Sequence, residues 1–117
     1  MKDPQLYEKA ITWAKRKGFN NLKANIENYD PPTSFRRKGI DEPLIPDITG
    51  VSLGGKHYVE IALKGGDESD IVSKWKLFST MANMKEGKLY LLAPKGHRAF
   101  TDKLVKKYNV DATIVNI

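Results

Sequence analysis

The 117-residue chain predicts an α/β fold, with a mixed central sheet flanked by helices. Three observations predict it. Two β-rich runs meet at Gly54-Gly55, a strong hairpin signal. Two stretches, about residues 4–17 and 70–85, carry apolar residues at helical spacing. The short apolar run Leu89-Tyr90-Leu91-Leu92-Ala93 lies between two helical patterns, as a central strand does in a layered α/β domain.

In chain order, Asp3-Pro4 reads as an N-cap followed by a residue suited to the first helical position. Leu6, Tyr7, Ala10, Ile11, Trp13 and Ala14 form the apolar stripe of a helix that Gly18 ends, with Lys15, Arg16 and Lys17 at its carboxyl end. Phe19 to Asn28 alternates at Leu22, Ala24 and Ile26, which suggests a strand. Residues 29–46 hold four prolines and form a long loop that carries Arg36, Arg37 and Lys38 beside Phe35. After the hairpin, Ser69 or Asp70 caps a second helix running to about Lys85, with Ile71, Val72, Trp75, Phe78, Met81 and Ala82 on its apolar arc. Lys74 falls inside that arc, so it either snorkels outward or points at something negative. A strand over residues 88–94, a helix over 96–108 with Ala99, Phe100, Leu104 and Tyr108 inward, and a last strand over 110–117 complete the order α-β-β-β-α-β-α-β.

The length fits one domain, residues 1–117. The net charge of +6 favours polyanionic partners, nucleic acid first. The absence of cysteine excludes disulfides and Cys-based zinc sites. No apolar run approaches the roughly 20 residues that span a membrane. No signal-peptide pattern opens the chain, so a cytoplasmic location is expected.

Chemistry concentrates on the hairpin, Pro46 to Lys64. With Gly54 and Gly55 as the loop, Leu53 pairs with Lys56 and Asp47 lies opposite Ala62. Tyr58, Glu60, Ala62 and Lys64 then share one face with Asp47. Glu60 and Lys64 are its diagonal neighbours, roughly 7–8 Å away. His57, Val59, Ile61 and Leu63 point the other way, as core. Paired carboxylate oxygens suit Mg²⁺ or Mn²⁺, which activates water against a phosphoryl group, and a nearby lysine steadies the charge that develops.

This pattern resembles the PD-(D/E)xK nuclease superfamily, the restriction-endonuclease-like fold. Pro46-Asp47 matches its P-D and Glu60 its second acid. Ser73-Lys74-Trp75 with Phe78, and Gly87-Lys88-Leu89-Tyr90-Leu91-Leu92, resemble the helix and strand that follow in Holliday-junction-resolvase-like members. The resemblance covers about residues 3–94 and implies an α-β-β-β-α-β core, to which this chain adds a C-terminal α-β extension. It further implies a metal-dependent endodeoxyribonuclease in which Asp47 and Glu60 bind Mg²⁺ or Mn²⁺ and Lys64 assists. Glu8 would match the first-helix acid, and Lys74 would be an accessory. One position departs: the family's lysine follows the second acid by two residues, where Ala62 stands. Lys64, one pleat further on the same face, is the expected substitute.

Arg36, Arg37 and Lys38 are the candidate DNA contacts, with Phe35 and Tyr29 placed to stack on bases. Cutting both strands of a duplex at once would require a homodimer. Two other expectations compete. One is an inactive protein of the same fold that binds nucleic acid or a protein partner. The other is a charged patch that is merely a solvated strand face.

Overall fold

The computed structural model describes residues 2–117. Its elements are α1 (Pro4–Arg16), β1 (Asn20–Ala24), β2 (Ile48–Ser52), β3 (Gly55–Ile61), α2 (Glu68–Met84), β4 (Leu89–Ala93), α3 (Arg98–Tyr108) and β5 (Thr113–Asn116). The expected element order is the observed one. The strands form one mixed sheet, ordered β1-β2-β3-β4-β5. The first three strands pair antiparallel, and β3-β4-β5 pair parallel through the crossover helices α2 and α3.

Helices cover both faces. On one, Tyr7, Ala10, Ile11 and Ala14 of α1 pack with Phe19, Val59, Ile61, Tyr90 and Leu92. On the other, Val72, Trp75, Phe78 and Ala82 of α2 and Leu104 of α3 pack with Tyr58, Ala62, Leu89 and Leu91. β3 is therefore buried on both faces. The face that carries Tyr58, Glu60 and Ala62 is thus largely a second core, and Glu60 lies buried at its edge.

The hairpin corrects the expected register by two residues. Ser52 pairs with Gly55, Thr49 with Tyr58 and Ile48 with Val59. The loop is thus Leu53-Gly54, with φ of 51° and 79°, the left-handed pair of a type I′ turn. Glycine could hold either loop position. Gly55 is drawn into β3 instead, because a side chain there would collide with the Glu86 carbonyl. Leu53 is left fully exposed in a conformation unfavourable to a branched residue. Leu53→Asn is therefore expected to stabilise the protein by roughly 0.5–1 kcal/mol, read as a raised urea midpoint.

Other boundaries shift for local reasons. β1 stops at Ala24, after a bulge at left-handed Asn21; the Asn25 N–H still bonds the Asp47 carbonyl in the same register, and the chain then turns back so that the Ala24 N–H reaches the Asp30 carbonyl. The loop after it is pinned by a bridge between Phe35 and Leu44. Phe35 packs 6.1 Å from Tyr58 and 6.2 Å from Phe78, so it serves the core and is not offered to bases, whereas Tyr29 is exposed. Asp67, not Ser69 or Asp70, caps α2 by accepting the Asp70 N–H. In α3, Ala99 faces solvent and Thr101 is buried, its hydroxyl donating to the His97 carbonyl. β5 starts late because Val110 closes the α3 end, where Asn109 is left-handed. His57 is a satisfied core histidine: it accepts the Lys88 N–H at Nδ1, meets Ser52 Oγ at Nε2 and stacks on Phe19. Burial holds it below the usual imidazole range, so it stays neutral.

Candidate functional site

Asp47 is the residue that enters β2, and Glu60 lies near the end of β3. The observed register, carried one pair beyond Ile48–Val59, puts the two acids directly opposite each other. They are 4% and 1% exposed, which overturns the solvated-face expectation. Two buried carboxylates side by side require compensation, and every one of their oxygens has a partner. Asp47 Oδ1 accepts the Tyr7 hydroxyl at 2.8 Å. Asp47 Oδ2 accepts the Ile61 N–H at 2.8 Å and the Lys2 ammonium. Glu60 Oε1 accepts the Asp47 N–H at 2.8 Å. Glu60 Oε2 faces two ammonium groups, Lys74 at 3.1 Å and Lys2 at 3.4 Å. Lys2 Nζ also donates to the Ile61 carbonyl at 2.8 Å.

Pro46 explains why that carbonyl is free. In a two-residue hairpin the pair flanking the loop, here Ser52–Gly55, exchanges both backbone hydrogen bonds, and alternate pairs repeat this. The alternation reaches Pro46 opposite Ile61. Proline has no N–H to give, so the Ile61 carbonyl accepts from Lys2 and the Ile61 N–H turns to Asp47.

The expected helpers sort differently. Lys64 lies beyond the end of β3 and is exposed. It lines a cavity of about 230 Å³ with Glu60, Lys2, Lys74 and Trp75. Among the described residues no carboxylate lies within ion-pairing reach of it, so the close cations are Lys2 and Lys74. Lys74 does point at something negative, Glu60. Ala62, where the PD-(D/E)xK pattern has its lysine, is buried in the cluster that α2 forms with the sheet. Glu8 is exposed on α1, along a separate groove beside Tyr29; Tyr7 is the α1 residue that reaches the acids. Arg36 donates to the Asp41 carbonyl and Arg37 to Ser73 Oγ. Lys38 is exposed, and none of these three lines the cavity beside Glu60.

Lys2 and Tyr7 were not legible as site residues. Tyr7 left one signal, a hydroxyl on a buried helix face that must find an acceptor. Lys2 left none, since it precedes the helix cap and no spacing ties it to the hairpin. A further basic group surrounds the start of β3. Burial, with Lys23 and Lys85 close by, holds Lys56 below the usual ammonium range.

Lys2, hydrogen bonds and the Ile61 N–H keep Asp47 below the usual carboxylate range despite its burial. Glu60 goes the other way. Burial, then the negative Asp47, push it up to about 7, against the pull of Lys2 and Lys74. Between 4.5 and about 7 the folded state holds a proton that the unfolded chain has released. Stability from Glu60 is therefore full below 4.5 and lost as pH rises through that window. Glu60→Gln is expected to flatten this fall, measured as urea midpoints across the same window in metal-free buffer.

Among the described residues no three His, Cys, Asp or Glu side chains gather into a metal-binding group. What gathers is two carboxylate oxygens and one backbone carbonyl, a hard-oxygen set of the kind Mg²⁺ and Mn²⁺ prefer. No helix among the described residues is long and apolar enough to cross a membrane. No protein-family model, curated protein or solved structure matches this chain.

Proposed function

We propose that the chain is a metal-dependent nuclease-like domain that hydrolyses DNA phosphodiester bonds. One observation carries the reading: Asp47 Oδ2, Glu60 Oε2 and the Ile61 carbonyl converge on a single cationic point. That point lies at the end of a central strand in an α-β-β-β-α-β frame. The resemblance of Pro46-Asp47 and Glu60 to the PD-(D/E)xK pattern supports the same conclusion.

Asp47, Glu60 and the Ile61 carbonyl would hold Mg²⁺ or Mn²⁺. The ion, when bound, supplies Lewis-acid polarisation of the phosphoryl oxygen and a hydroxide nucleophile. Tyr7 and the Ile61 N–H fix the Asp47 carboxylate, and the Asp47 N–H fixes Glu60. Lys74 anchors the outer oxygen of Glu60 at the cavity wall. Lys64, which is exposed and lines the same cavity, would meet a substrate phosphate and steady its charge. The +6 charge, with Lys23, Lys56 and Lys85 grouped near the hairpin, draws a nucleic acid backbone to the surface. Cutting both strands of a duplex together would take two copies of the chain.

One observation favours a second reading, an inactive domain of this fold that binds nucleic acid: the Lys2 ammonium sits among the three oxygens. Incubation with plasmid, branched and single-stranded DNA, with Mg²⁺ or Mn²⁺ and with chelator, separates the two. Metal-dependent cleavage is the expected result. Salt-sensitive binding without cleavage under any of these conditions would reject the enzyme in favour of the binding domain.

A further inference from the structure

We infer that the three-oxygen point is an exchangeable cation site whose resident occupant is the Lys2 ammonium, so that a divalent ion enters only as Lys2 leaves. The inference rests on the metal-site reading above and adds a device to it.

The geometry makes the two occupants exclusive. Lys2 Nζ lies 2.5 Å from Asp47 Oδ2, 2.8 Å from the Ile61 carbonyl and 3.4 Å from Glu60 Oε2. A magnesium ion binds oxygens at about 2.0–2.1 Å, so it needs the same three atoms and the space of the ammonium itself. The Ile61 carbonyl is an acceptor that the sheet leaves unpaired, because Pro46 stands where its donor would be. Two anionic side chains and a spare carbonyl form an acceptor set more demanding than one lysine satisfies, with Glu60 Oε2 at the long limit of contact. Lys74, carried by α2, holds that same oxygen at 3.1 Å through a contact that does not involve Lys2.

Lys2 is also built to leave. It precedes the Asp3 cap of α1, outside any helix or strand. Its side chain is 23% exposed, whereas those of the acids it joins are nearly sealed. Rotation about its own side-chain bonds releases the ammonium to solvent without moving α1, and recovers the rotamer freedom that a long side chain loses when it is held. The site then holds two carboxylates against one lysine, an electrostatic demand that a divalent ion meets.

Calorimetric titration of the full chain with Mn²⁺ tests this, comparing wild type with Lys2→Met. The methionine variant is expected to bind Mn²⁺ ~10-fold or more tightly, because the competent state no longer waits on lysine departure. The tighter binding should vanish in Lys2→Met/Asp47→Asn. Equal, measurable affinities in wild type and Lys2→Met would overturn the exchange and leave the metal site standing. No binding by either protein would overturn the metal reading along with it. A second measurement needs no variant. In wild type, the protected Lys2 ammonium resonance, observed by ¹⁵N-detected lysine NMR, is expected to be lost or shifted by Mg²⁺ addition while that of Lys74 persists. An unchanged Lys2 signal under saturating Mg²⁺ would overturn the proposal.

Discussion

Gly87→Ala is expected to destabilise the protein by about 3 kcal/mol or more, enough to leave it largely unfolded at modest urea. The cause is a backbone-to-backbone approach. After α2, left-handed Glu86 turns the chain, and Gly87 passes directly over the start of β3. A Cβ there would overlap the Lys56 carbonyl and lie 3.1 Å from the His57 nitrogen. Neither can retreat. The Lys56 N–H is bonded to the Lys85 carbonyl, the Tyr58 N–H to the Lys88 carbonyl, and Gly87's own N–H to the Ala82 carbonyl. Gly39→Ala supplies the control. Its φ of 80° is left-handed, unlike that of Gly87, and no atom lies near the added carbon, so its cost should stay near the ~1–2 kcal/mol of backbone strain alone. Chemical denaturation of both variants decides the matter, and a Gly87→Ala midpoint equal to wild type would show that the crossover yields. The consequence reaches the site. α2 is fastened to the beginning of β3 at Gly87 and presents Lys74 to Glu60 near that strand's other end, so loosening the crossover frees the lysine as well.

The layered fold was legible because local signals and global packing agree. Helical stripes marked α1 and α2, the apolar run marked β4, and the glycines marked the hairpin. The misplacement of the turn is instructive. Leu53-Gly54 took the left-handed loop because Gly55 was needed where β3 passes under Glu86, a contact no local pattern reveals. The two-residue slip preserved the faces, since strand side chains repeat every second residue, so Asp47 and Glu60 still meet. What changed was the depth and the cations. Alternation alone could not separate a solvated face from one covered by α2, and Glu60 proved to lie under that helix. Lys64 was expected from strand continuity, but β3 ends first. Lys2 comes from a distant part of the chain, fixed there only by how α1 packs on the sheet, and such long-range placement leaves no spacing to read.

Asp47→Asn and Asp47→Ala are expected to abolish metal-dependent cleavage alike, by about 10²–10³-fold or more, yet to differ sharply in stability. Alanine removes the acceptor of three donors at once, Tyr7, the Ile61 N–H and Lys2, and leaves them facing a void beside buried Glu60. Breaking a buried charge network in this way costs about 3–5 kcal/mol. Asparagine keeps the shape and one oxygen for the Ile61 N–H, so roughly 1–2 kcal/mol is lost. Tyr7→Phe completes the set: it deletes one donor to Asp47, costs about 1 kcal/mol, and should spare most of the cleavage. Stability and activity thereby separate. A scaffold role for Asp47 would make activity follow stability, with the asparagine variant active and the alanine variant dead. A role in holding the ion makes the asparagine variant folded and inactive, because a neutral amide supplies neither the charge nor the second oxygen that a divalent cation requires. Denaturation midpoints and cleavage rates measured on the same three preparations distinguish these outcomes, and an active, folded Asp47→Asn protein would remove the carboxylate pair from the chemistry.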